Sequence, residues 1–62
     1  MQELITLLLD AAQALGSVAD VAKALDEDPE HIYAWLAANG LPGQARQREL
    51  IERLRTVLRE RR

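Results

Sequence analysis

For 62 residues, 48% hydrophobic and 29% charged, a single domain is the expectation, with no room for a second; at this size only about 60% of the unfolded surface is buried on folding. With no cysteine it has no disulfide, thiolate metal site or thiol nucleophile, so its stability must come from apolar packing. The net charge of −2 hides a division: residues 1–43 carry seven acids against Lys23 alone, a balance of −6, and residues 44–62 carry seven arginines against Glu49, Glu52 and Glu60, a balance of +4.

The opening MQELITLLLDAAQALG is apolar, but Glu3 stands where a signal peptide has basic residues and Asp10 interrupts the run. Neither a leader nor a membrane span is expected, and a cytoplasmic protein is the simplest reading. Leu4, Ile5, Leu8, Ala11, Ala12 and Leu15 instead form one face of a first helix, which Gly16 ends as a left-handed cap. Consecutive Leu7, Leu8 and Leu9 put leucines on more than one face, so one of them is hard to bury in so small a monomer. A homodimer seam at Leu7 or Leu9 is the expectation.

Ser17 followed by Asp20 resembles a capping box and starts a short second helix at Val18, with Val21, Ala22 and Leu25 on its buried side. Asp28 and Pro29 then supply an N-cap and a first-turn proline for a third helix. Its core face is Ile32, Trp35 and Leu36, and Asn39-Gly40 ends it. Tyr33 points away from Trp35 toward solvent. After Leu41-Pro42-Gly43, an apolar stripe of Leu50, Ile51, Leu54, Val57 and Leu58 predicts a fourth helix with room to run to the C-terminus, braced by Glu49–Arg53 and Arg48–Glu52 pairs. No stretch alternates with period two, and there is no repeat or low-complexity run. The expected fold is all-α: a small four-helix domain containing a helix-turn-helix, with the motif at about 18–36.

The spacing from Val18 to Trp35 carries the most information. Ala22 supplies a small residue where two helices approach, Val21 and Leu25 flank it, Ile32 follows ten residues later and Trp35 three after that. This pattern, with the run IYAWLAANGLP, resembles the Cro and repressor-type helix-turn-helix domains, the lambda-repressor-like DNA-binding domains; the resemblance covers residues 18–42 well and the outer helices by length and order. It implies a recognition helix at about 29–38, with Asp28, Pro29, Glu30, Tyr33, Ala34 and Ala37 facing the bases of double-stranded DNA, a homodimer, and a role in transcription regulation. Glutamate can accept from cytosine N4, tyrosine can reach a phosphate and alanine can meet a thymine methyl.

Two positions depart from the family pattern. Asp26 and Glu27 occupy the turn where the family has glycine and an aliphatic residue. Aspartate tolerates a left-handed backbone, whereas Glu27 lacks the aliphatic side chain that would plug the core, so a more open or differently wound turn is expected. Val18 stands where the family often has a polar phosphate ligand, with Ser17 as the substitute. Phosphate contacts then fall to Ser17, Lys23, Gln44, Arg46 and Arg48, with Gln47 and the N–H groups opening the fourth helix. A continuous basic strip joining Lys23, Arg46 and Arg48 would favour DNA.

The acids at 26, 27, 28 and 30 also suit a helix start, since they complement its dipole. On that footing the alternative function is a protein-interaction or dimerisation module on the same scaffold, without DNA binding, taking a basic protein partner, or the arginine-rich segment of another copy, at the acidic 26–30 face. The regular helix punctuation also suits a designed four-helix mini-protein. A calcium loop is excluded, because His31 falls where its invariant glycine belongs and Ala37 where its bidentate glutamate belongs. Thr6, Ser17, Tyr33 and Thr56 have no base at convincing spacing, and His31 is alone, so neither an enzyme, a metal site nor a cofactor is expected.

Overall fold

A computed structural model of the chain describes residues 2–60; Arg61 and Arg62, counted above in the basic segment, lie outside the described residues. Four helices follow in order: α1 (Glu3–Leu15), α2 (Val18–Leu25), α3 (Pro29–Leu36) and α4 (Gln44–Glu60). Among the described residues there is no strand, so the fold is a small all-α domain, and the arrangement of α2 and α3 is compatible with a helix-turn-helix.

The apolar stripes read from spacing converge on one core. Leu4, Leu8 and Ala11 of α1 meet Val21, Ala22 and Leu25 of α2, Ile32 and Trp35 of α3, and Leu50 and Leu54 of α4. Burial of each leucine here is worth about 1.5–3 kcal/mol relative to exposure. The outer helices α1 and α4 pack most extensively on each other; α2 packs on both, and α3 on α1 and α2. Leu7 packs against this core, while Leu9 is left 46% exposed, so the surplus leucine is Leu9.

The helix boundaries have local causes. Gly16 takes the left-handed conformation (φ 111°), its N–H bonds to the Ala12 carbonyl at 2.9 Å, and the chain turns by 109° into α2. Ser17 Oγ accepts from the Asp20 N–H at 3.2 Å and donates to Asp20 Oδ2 at 3.0 Å, so the short aspartate closes the box on the hydroxyl itself. Asp28 Oδ1 accepts from the Glu30 N–H at 2.9 Å ahead of Pro29.

The turn between α2 and α3 is closed rather than open. Asp26 is left-handed (φ 57°), its N–H reaches the Lys23 carbonyl at 3.2 Å, and the Glu27 N–H reaches the Ala22 carbonyl at 2.8 Å. These are the two bonds of a Schellman cap, with aspartate where glycine is usual. Glu27 does face inward, but as half of a charge pair described below.

Helix α3 stops at Leu36, short of the expected 38. Ala38 takes the left-handed position (φ 58°), donating to the Trp35 carbonyl at 2.9 Å, and the Asn39 N–H reaches the Ala34 carbonyl at 2.8 Å. The reason is burial: residues 37–40 are all exposed, so no side chain holds a further turn against the core until Leu41. The last helix is anchored at its start by Gln47, whose N–H bonds to the Gly43 carbonyl and whose Nε2 bonds to the Pro42 carbonyl, each at 2.8 Å.

The expected Glu49–Arg53 and Arg48–Glu52 pairs do not form among the described residues. Arg46 pairs with Glu49 and Arg55 with Glu52, each at 3.6 Å, because these two arginines are also held by Glu27 and Glu3 of other elements. Among the described residues no single helix is long and apolar enough to cross a membrane.

Candidate nucleic-acid interface

Eight residues of α3 leave two to three turns in which to divide buried from exposed side chains. Ile32 and Trp35 point into the core, which sends Pro29, Glu30 and Tyr33 outward, with Ala34 half-buried at the margin. Tyr33 is 61% exposed. Ala37, expected on the same stripe, is exposed but sits at the C-cap beyond the last helical residue. Asp28 is exposed as well, with one carboxylate oxygen committed to capping α3. Glu30, Tyr33 and Ala37 therefore run along one face at intervals of three and four, and none of them is basic.

The expected phosphate ligands do not form one strip. Lys23 is exposed on α2, where it lines a shallow groove with Ala19, Ala22, Asp26, Glu27 and Pro29. Ser17 is exposed, but its hydroxyl serves Asp20. Gln44 and Arg48 are exposed at the start of α4, whereas Gln47 is half-buried. Two residues on one helix lie about 200° apart around the axis, so Arg46 and Arg48 project from opposite sides of α4. Arg46 turns toward the α2–α3 turn and donates to Glu27 through Nη2.

Glu27 is the best-connected polar side chain in this region. Its side chain is 16% exposed; it accepts from Arg46, and its Oε1 lies 3.4 Å from His31 Nδ1, one helical turn on. The Arg46 guanidinium holds the carboxyl below the usual glutamate range; partial burial works the other way, and the His31 contact adds to the lowering. His31 in turn stacks along Trp35, with ring centroids 6.3 Å apart and planes inclined at 29°. In place of an aliphatic plug, the turn is closed by an arginine from the fourth helix.

No protein family, curated protein or solved structure matches this chain.

The sequence carried half a signal for the Glu27 cluster. Glu27 and His31 are four apart, the spacing of helical neighbours. Arg46 is 19 positions away and has no local signature. Among the described residues no three His, Asp or Glu side chains come together to hold a metal ion.

Proposed function

We propose that this chain is a small DNA-binding transcriptional regulator of Cro or repressor type, acting as a homodimer in the cytoplasm, with α3 as its recognition helix. The observation that carries this reading is the α2–α3 unit: two eight-residue helices joined through three residues, the second anchored by Ile32 and Trp35 and presenting Glu30, Tyr33 and Ala37 outward. Its acidic start is less hostile to a polyanion than its composition suggests. Glu27 is paired with Arg46, and Asp28, though exposed, has one oxygen bonded to the helix start, which leaves Asp26 and Glu30 as the exposed acids without such a contact among the described residues.

In this reading Glu30 accepts from a cytosine amino group, Ala34 and Ala37 meet thymine methyls, and Tyr33 reaches a phosphate. Lys23, Gln44 and Arg48 contact the backbone from either side. A dimer doubles so small a set of cationic contacts and spaces its two α3 helices about one turn of duplex apart.

The protein-interaction alternative is favoured by two observations: the exposed α3 stripe carries no basic side chain, and Lys23, Arg46 and Arg48 do not join in one strip. There a basic protein partner would dock on Asp26, Glu30 and Tyr33. Fluorescence anisotropy with a mixed-sequence duplex, read across salt concentrations, separates the two. The DNA reading expects affinity that falls steeply as salt rises, with non-specific dissociation constants at or below about 100 micromolar near physiological salt. No binding at that concentration in low salt, or binding indifferent to salt, sinks it.

A further inference from the structure

We propose that Glu27 is a built-in competitor for DNA phosphate, holding Arg46 away from the duplex backbone until a phosphate displaces it. This rests on the DNA-binding reading above and adds to it the regulation of its charge.

Three observations support the exchange. Among the three cationic side chains assigned to phosphate, Arg46 is the one engaged by a carboxylate within the described residues; its guanidinium donates to Glu27 and lies 3.6 Å from Glu49. Arginine–carboxylate and arginine–phosphate contacts use the same planar set of N–H donors, so one occupant stands in for the other. The pair is also reachable, because the Arg46 side chain is 39% exposed. Partly exposed ion pairs are held weakly, and a duplex presents a denser line of negative charge than one carboxylate does.

Losing Arg46 would not strand the half-buried carboxylate, because His31 Nδ1 already lies 3.4 Å from its other oxygen. The competitor also sits in the turn that leads into α3, so the contact it surrenders is one that ties that turn to α4. Glu27 is in this sense a positioning residue: it touches no DNA and sets how many cations are available to it.

The test is a cycle of Glu27→Gln, Arg46→Gln and the double variant, each checked for folding by circular dichroism and titrated with a mixed-sequence duplex across salt. In the unsubstituted protein Arg46 must leave Glu27 before it takes a phosphate and in E27Q it need not, so E27Q should bind more tightly by up to roughly fivefold, while R46Q, which forfeits a phosphate contact, should show a slope of log K against log salt shallower by about 0.9. R46Q should show no gain, and E27Q/R46Q should bind like R46Q. E27Q binding no tighter than the unsubstituted protein, or R46Q keeping the unsubstituted slope, overturns the proposal and leaves the DNA reading standing. So does a gain that survives in E27Q/R46Q, because removal of any negative charge would then suffice. Loss of binding by every protein, unsubstituted included, removes the DNA reading itself. The unsubstituted protein gives a readout independent of these variants: the carboxyl carbon resonance of Glu27 should move as duplex is added, and a resonance that stays fixed while the duplex binds overturns the exchange.

Discussion

Replacing Ala38 with glycine should stabilise the domain, and replacing its neighbour Ala37 should do the reverse. Ala38 holds φ 58°, a left-handed conformation that costs a non-glycine residue about 1–2 kcal/mol. It cannot relax out of it, because the bonds from Ala38 to the Trp35 carbonyl and from Asn39 to the Ala34 carbonyl depend on that backbone. Its methyl group is exposed and adds no burial that glycine would lose. Against the relief stands the extra freedom of glycine in the unfolded chain, about 0.4–1 kcal/mol. The net for A38G is a gain of about 0.5–1 kcal/mol, and for a domain of this size each kcal/mol moves Tm by about 4–8 °C. Ala37 has φ −85° and ψ 6°, with no strain to relieve, so A37G pays only the entropy and melts earlier. Thermal unfolding followed by far-ultraviolet circular dichroism checks both. An A38G protein that melts with or below the unsubstituted one, or two variants that shift the same way, would refute the cap assignment.

Because Arg46 holds the Glu27 carboxyl below the ordinary value of 4.5, the pair contributes fully above that pH and its contribution fades as pH falls toward the folded-state value. E27Q should flatten this acid limb in a series of denaturant titrations, and an unchanged limb would remove the pair from the account. Ser17→Ala and Asp28→Ala each delete a helix cap and should cost about 1 kcal/mol, adding when combined because they serve separate helices; urea midpoints report both. Leu9→Glu should leave stability within about 0.5 kcal/mol of the starting value and, if the homodimer seam includes this leucine, move sedimentation toward monomer. Leu7→Glu should destabilise, since it places a charge against the core; a dimer untouched by L9E puts the seam elsewhere. Leu50→Ala at the fully buried end of the α4 stripe should cost about 2–5 kcal/mol, enough to unfold a marginal domain, and retained helicity would show that the core had collapsed around it.

Helix starts were legible because their causes are local. Ser17 needs only Asp20, and Asp28 needs only Pro29 and Glu30, so both caps stand at the residues their spacing predicts. The core was legible for a related reason: Leu4, Leu8, Val21, Leu25, Ile32, Trp35, Leu50 and Leu54 recur at the helical period, and burial follows from that recurrence. The end of α3 was not, because Ala38 takes a left-handed cap two residues before Gly40, itself left-handed at φ 68°, through loss of burial, a property of the assembled fold. At the candidate interface the outward stripe of α3 follows from the positions of Ile32 and Trp35. The opposite bearings of Arg46 and Arg48 were implicit in their two-residue spacing. What pattern could not supply was the partner of Glu27, since a charge in a turn gives no sign of which distant arginine will meet it.

The packing of α1 on α4 also sets an order of events during synthesis. Glu3 and Arg55, which pair across it, are 52 positions apart, so Leu4 and Leu8 emerge from the ribosome long before the helix that covers them. A free thirteen-residue helix is marginal in water and gains little by forming early. On the nascent chain α2 and α3 can cover only part of those leucines, and the rest of their burial waits for α4. The separation of α1 from α4 thus sets the time in which those leucines are open to a neighbouring nascent chain or a chaperone.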